Sequence, residues 1–153
     1  MVNVANLPED KDSKSFLTVM ASMIRCILYP GAKLFVCSGG KEQSAGIIQE
    51  KVTEICNLIP AFERELDMRP KKTVITKDYC KYVFKNGSYF DVVAASEKSR
   101  GKRRHGGVME ECVGIDGEIL NEVILPIMNV SRSCADGITR PKEVLNKSQI
   151  YIT

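Results

Sequence analysis

Two adjacent carboxylates and a lysine–hydroxyl pair are the residues whose types and spacing could do chemistry. Val108-Met109-Glu110-Glu111 puts two acids directly after a short apolar run. At the end of a strand such a pair is able to divide metal and base roles, the first acid binding Mg²⁺ and the second polarising a water for attack. Lys14-Ser15 is the second element. A loop that cradles phosphates needs a tight turn of backbone N–H groups, a lysine reaching the β and γ oxygens, and a hydroxyl that holds Mg²⁺ at a helix start. Pro8 to Ser15, PEDKDSKS, supplies the lysine and the hydroxyl, but Pro8 and Ser13 stand where GxxxxGK[ST] has glycines, and Glu9, Asp10 and Asp12 add negative charge. The same residues also read as an ordinary helix start capped by Ser13, and the acidic pair also reads as a solvated turn.

A third cluster precedes the acids. Lys98, Arg100, Lys102, Arg103 and Arg104 fall in one short stretch of a chain whose net charge is only +3. A transferring phosphoryl group spreads negative charge over its oxygens, so an arginine brought beside it lowers the barrier. Arg100 and Arg103 are the candidates. A run of this kind also reads as a solvated loop, or as a contact for nucleic acid.

The elements that must position these residues follow from periodicity. Ser15 to Leu28 is apolar at helical spacing and is stopped by Tyr29-Pro30-Gly31. Lys33 to Ser38, KLFVCS, is a short apolar run that suits a strand covered on both faces. Ala45, Ile48, Val52, Ile55 and Ile59 recur at steps of three and four, giving an amphipathic helix over Lys41 to Leu58. Tyr82 to Lys85, then Asn86-Gly87, then Tyr89 to Ala94 is a hairpin signal for which a type I′ turn is expected. A charged loop over Ser96 to His105 leads into Gly106 to Gly114. Asp116 caps a helix running to Leu125, where Pro126 bends or stops it. Gln149 to Thr153 reads as a strand, and an end on a core strand predicts truncation there. Alternating helices and strands with an inserted hairpin favour a three-layer α/β domain.

Composition narrows the classes. At 153 residues, with 44% hydrophobic and 27% charged residues, the chain suits one soluble domain with a real core. It has no apolar run near the roughly 20 residues of a membrane span and no signal-like block, so a soluble, non-exported protein is expected. Cys26, Cys37, Cys56, Cys80, Cys112 and Cys134 are scattered without a CxxC pair, which reads as reduced thiols packed as small apolar residues. A single histidine, His105, leaves little from which to build a His/Cys metal site.

Taken in order, LYPGAKLFVCSGGKEQSAGIIQEKV, FKNGSYFDVVAAS, SRGKRRHGGVMEE and NKSQIYIT resemble the successive blocks of tailed-phage terminase large subunits, over roughly Ser13 to Thr153. The resemblance implies a P-loop NTPase-like α/β fold: a three-layer, mainly parallel sheet with an inserted hairpin. It implies a single partial ATPase domain over 1–153 with the nuclease domain absent. By this resemblance Ser13, Lys14 and Ser15 bind nucleotide, Ser15 and Glu110 hold Mg²⁺, Glu111 is the catalytic glutamate, and Arg100 or Arg103 is an arginine finger. The implied ligands are ATP and Mg²⁺. The implied partners are double-stranded DNA, the portal protein, the small terminase subunit and further copies of the chain, in the host cytoplasm and without a membrane. The sequence departs from the family at Ser13, where a glycine is usual, and at Glu110, where aspartate is more usual. An inactive remnant acting in oligomerisation or DNA binding, and another P-loop motor ATPase, are the alternative readings.

Overall fold

The computed structural model describes residues 11–39, 41–133, 137–140 and 142–152, without the side chains of 11–13 and 41–43. Helix α1 (Lys11–Leu28) leads into strand β1 (Lys33–Ser38), and helix α2 (Lys41–Leu58) follows. Both β1 and α2 have the bounds that periodicity predicts. A short helix α3 (Pro60–Glu65) and strands β2 (Val74–Ile75), β3 (Cys80–Val83) and β4 (Tyr89–Ala94) come next. Strand β5 (Gly106–Met109) ends at the acidic pair. Helix α4 (Gly117–Ile119), a π-helical turn (Leu120–Ile124) and helix α5 (Leu125–Ile127) run on without a break, and β6 (Ser148–Tyr151) closes the order.

The six strands form one sheet in the order β2-β3-β4-β1-β5-β6. Strands β4, β1, β5 and β6 are parallel, while β2 and β3 are antiparallel additions at one side. Strand β1 lies in the middle, and its alternation shows why its whole length is apolar. Leu34 and Val36 face a cluster with Val19, Met23 and Cys26 of α1 and Ile48, Val52 and Ile55 of α2. Phe35 and Cys37 face the opposite cluster, with Val123, Ile124, Ile127 and Met128. The chain is therefore a three-layer α/β domain, and a strand buried on both faces has no polar side to show. Gly107 makes this packing possible, because the Phe35 ring occupies the space where its Cβ would project.

Two local expectations are corrected. The hairpin between β3 and β4 is present, but its turn is not type I′. Gly87 N–H donates to the Phe84 carbonyl (3.0 Å) and Phe84 N–H to that of Ser88 (2.8 Å), with Gly87 at φ +85° and Asn86 outside the left-handed region. This is a type I turn closed by a left-handed glycine. It leaves Asn86 free to reach sideways: its Nδ2 donates to the Cys26 and Ile27 carbonyls (2.8 and 3.0 Å), and the Ser88 hydroxyl also donates to Cys26 (2.6 Å). The NGS turn thus satisfies carbonyls in the last turn of α1. Second, Ser13 lies inside α1 (Lys11–Leu28), so it is not the N-cap of that helix. The helix that Asp116 opens ends at Ile127, one residue past Pro126. Asp116 caps the start, accepting from the Glu118 and Ile119 N–H groups, and the π turn before Pro126 accommodates a residue that has no N–H to donate.

Candidate functional site

Parallel strands leave their loops at one edge, and the candidate residues collect at the carboxyl edge of β1 and β5. Glu110 N–H donates to the Cys37 carbonyl (2.8 Å), extending the β5–β1 ladder one residue past β5 and fixing where its side chain starts. Ile152 N–H donates to Met109 (2.9 Å) and Cys112 N–H to Ile152 (3.0 Å), so β6 braces the same loop from the other side. Gly39, just past β1, lies against the Gly114 carbonyl, where an added Cβ would stand 3.4 Å away. The loops after β1 and β5 are therefore in contact.

Glu110 is only 6% exposed, and its buried Oε1 has no hydrogen-bond partner among the described residues. Burial raises its pKa, a hydrogen bond with the Ser15 side chain lowers it, and the charge of Glu111 raises it again. The net direction is upward. Ser15 lies in the opening turns of α1, so the long-range packing of this helix brings the hydroxyl and the acid together. Lys14 is half-buried beside it, and its carbonyl accepts from the Thr18 hydroxyl (2.8 Å). The side chain of Ser13 lies outside the described ones.

Glu111 is exposed and stands in the left-handed region at φ +47°, ψ +48°. For a residue with a Cβ this conformation costs roughly 1–2 kcal/mol, and such strain is concentrated at functional sites. It turns the chain sharply after Glu110, so one carboxyl is buried and its neighbour is open to water.

The two arginines separate. Arg100 follows the carboxyl end of β4, where Ser99 is anchored to the Ala94 carbonyl (2.7 Å), and it grips the exposed Glu97 through Nε (2.9 Å) and Nη2 (3.1 Å). Arg103 is exposed and precedes β5, whereas Glu110 follows it. The length of β5, about 13 Å at strand rise, lies between their backbones, so Arg103 is not gathered with Glu110 within this chain.

Arg104 has a different task. It forms a fork onto Asp91 of β4 (Nε–Oδ1 3.0 Å, Nη2–Oδ2 2.7 Å), and Tyr79 Oη donates to the same carboxyl (3.1 Å). Asp91 is 1% exposed. Together with Arg104 N–H donating to the Ile127 carbonyl (3.0 Å), this pair pins the loop after β4 onto the sheet. Sequence reasoning missed Asp91; a lone acid inside an apolar strand was the available signal. Cys26, Cys37, Cys56, Cys80 and Cys112 are free thiols, and Cys134 lies outside the described residues. Among the described residues no group of three or more His, Cys, Asp and Glu could hold a metal ion, and no helix is long and apolar enough to cross a membrane.

A three-layer, mainly parallel sheet with an acid pair at its carboxyl edge is P-loop NTPase-like in class. No family model matches the sequence, and no curated protein does. Solved structures do. The ATPase domain of the large terminase of Thermus phage P74-26 superposes with a TM-score of 0.59 at 18% identity, over 94% of this chain and 56% of that one. The large terminase of bacteriophage HK97 gives 0.65 at 12% identity, over 94% and 27%. That of another thermophilic bacteriophage, in complex with ADP, gives 0.51 at 14%, over 97% and 31%. The chain thus has the fold of a phage large-terminase ATPase domain and spans from about a quarter to just over half the length of these proteins.

Proposed function

We propose that this chain is the ATPase part of a phage DNA-packaging terminase large subunit, in which ATP hydrolysis drives DNA into the capsid. The observation that supports it most is the buried Glu110 carboxyl, with one oxygen unpartnered among the described residues, at the loop edge of a large-terminase fold. A carboxyl taken out of water with one oxygen unpartnered is costly unless something binds there. A hydroxyl and one or two carboxylates suit Mg²⁺, which keeps most of its waters and takes the rest of its ligands from phosphates. Ser15 and Glu110 would hold that ion, and when bound it would neutralise charge on the β and γ phosphates. Ser13, Lys14 and Ser15 would contact the nucleotide, with the Lys14 ammonium serving the phosphates. Glu111, open to water beside Glu110, would orient the attacking water and take its proton.

Arg100 is the better placed of the two arginines. It is exposed at the same edge as Glu110, and it would complete the site of a neighbouring copy in a homo-oligomer. Arg103 would act only across such an interface. Double-stranded DNA, the portal protein and the small terminase subunit would be the partners, and the host cytoplasm the location. Calorimetry with Mg-ATP on the chain, on Lys14→Ala and on Ser13→Gly tests the reading. Binding that is lost in Lys14→Ala and tightened in Ser13→Gly supports a phosphate loop weakened by its missing glycine. No binding by any of the three moves the assignment to a remnant that keeps the fold without its chemistry.

A further inference from the structure

The amino edge of the sheet, opposite the acids, has a charge pattern that the nucleotide chemistry does not use. Each of the four parallel strands is entered from a cation. Lys85 lies in the turn before β4, Lys33 opens β1, Lys102 and Arg103 approach β5, and Lys147 immediately precedes β6. The register places these starts level: Lys33 lies opposite Tyr89, Leu34 opposite Gly106, and Gly106 opposite Ser148. Backbone hydrogen bonds tie three of the approaches together, with His105 N–H donating to the Lys33 carbonyl (2.7 Å) and Lys147 N–H to the His105 carbonyl (2.7 Å). Lys33, Lys85, Arg103 and Lys147 are exposed, and Lys102 is half-buried.

Among the described residues, nearby acids do little to cancel this charge. Glu143 is engaged by Arg132 and Asp91 by Arg104. Glu65, whose backbone carbonyl accepts from Lys85 N–H, is the exposed acid beside that lysine. Burial and then Lys33, Arg132 and Arg104 disfavour protonation of His105, with Glu143 opposing them.

We propose that this amino edge is a contact surface for the phosphate backbone of duplex DNA. Four strand starts at about 4.8 Å spacing make a row about 14 Å long. That length of duplex axis carries about four phosphates on each strand. The nucleotide site lies at the carboxyl edge, so nucleotide and DNA would lie on opposite sides of one sheet. The choice of DNA among polyanions rests on the packaging reading; the surface itself rests on its charges.

Fluorescence anisotropy of a labelled mixed-sequence duplex, measured between about 50 and 200 mM salt, tests the surface. Four phosphate contacts give a slope of log affinity against log salt near −4. In Lys33→Glu/Lys85→Glu/Lys147→Glu the slope should shrink by about 3 and the affinity fall at least about tenfold. Lys33→Gln alone should reduce the slope by about 1. The reversals Lys77→Glu/Lys98→Glu, near the carboxyl edge, should leave it unchanged. A triple variant with the parent slope, a chain that does not bind the duplex at about 50 mM salt, or binding confined to duplex RNA overturns the proposal. Mg-ATP binding measured on the same proteins separates the two readings. Loss of DNA with nucleotide binding retained supports both. A slope that responds to the edge reversals while no protein binds Mg-ATP leaves the surface standing and removes the ATPase reading.

Discussion

Replacing Glu110 with glutamine should make the nucleotide-free protein more stable. At neutral pH the fold holds a carboxyl that is 6% exposed, with a buried Oε1 that no described residue partners and the Ser15 side chain opposing the cost. An unsatisfied buried group costs about 1–3 kcal/mol and more when charged; the amide of Glu110→Gln leaves its nitrogen unpartnered but removes the charge and keeps an oxygen for Ser15, a gain of about 1–3 kcal/mol. For a domain of this size each kcal/mol moves Tm by roughly 2–4 °C, so a gain of about 2–12 °C at about pH 7.5 is expected by differential scanning fluorimetry. The pH dependence follows from the sign of the shift. A carboxyl whose pKa is raised on folding binds its proton more tightly in the native state. The penalty is therefore absent below the ordinary carboxylate range and grows as pH rises through the folded pKa. The advantage of Glu110→Gln should accordingly shrink towards zero on acidification. Mg-ATP should raise the Tm of the parent chain and not that of the variant. A variant no more stable than the parent at pH 7.5, or a gain that persists unchanged at acid pH, refutes the account of Glu110 as a destabilising, ligand-awaiting acid.

Glu111→Gly should relieve the left-handed backbone and raise stability by about 1 kcal/mol in urea unfolding, while hydrolysis in the assembled motor falls about 10²–10⁴-fold. Asn86→Ala removes two donors from the end of α1 and should cost about 1–3 kcal/mol by the same measurement; Asn86→Asp, which puts a negative charge against those carbonyls, should cost more. His105 is buried and accepts at Nδ1 from Lys33 N–H (3.0 Å), and burial followed by Lys33 and Arg132 pushes its pKa from 6.5 to about 4. The unfolded chain then binds a proton that the native state refuses. Stability should fall as pH drops from about 6.5 to about 4, by on the order of 3 kcal/mol, and His105→Gln should flatten that part of the profile.

Much of the local structure is legible in the residues. Strand β1 and helix α2 carry unmixed periods between Pro30-Gly31, Gly39-Gly40 and Leu58, so their bounds follow from pattern alone. The hairpin is announced by Asn86-Gly87, but the turn type is not. Asn86 is drawn out of the left-handed conformation expected of a type I′ turn, while its side chain binds the carbonyls of a helix 60 residues away. Strand β2, with two residues, is shorter than any period that could mark it. Periodicity and turn preference are properties of neighbours in sequence and can be read there. Strand order, the meeting of Ser15 with Glu110, the fork of Arg104 on Asp91 and the row of cations at the amino edge are not of that kind. They depend on which distant segments share a sheet and which way the strands run, and long-range burial and register settle that only when the whole core packs.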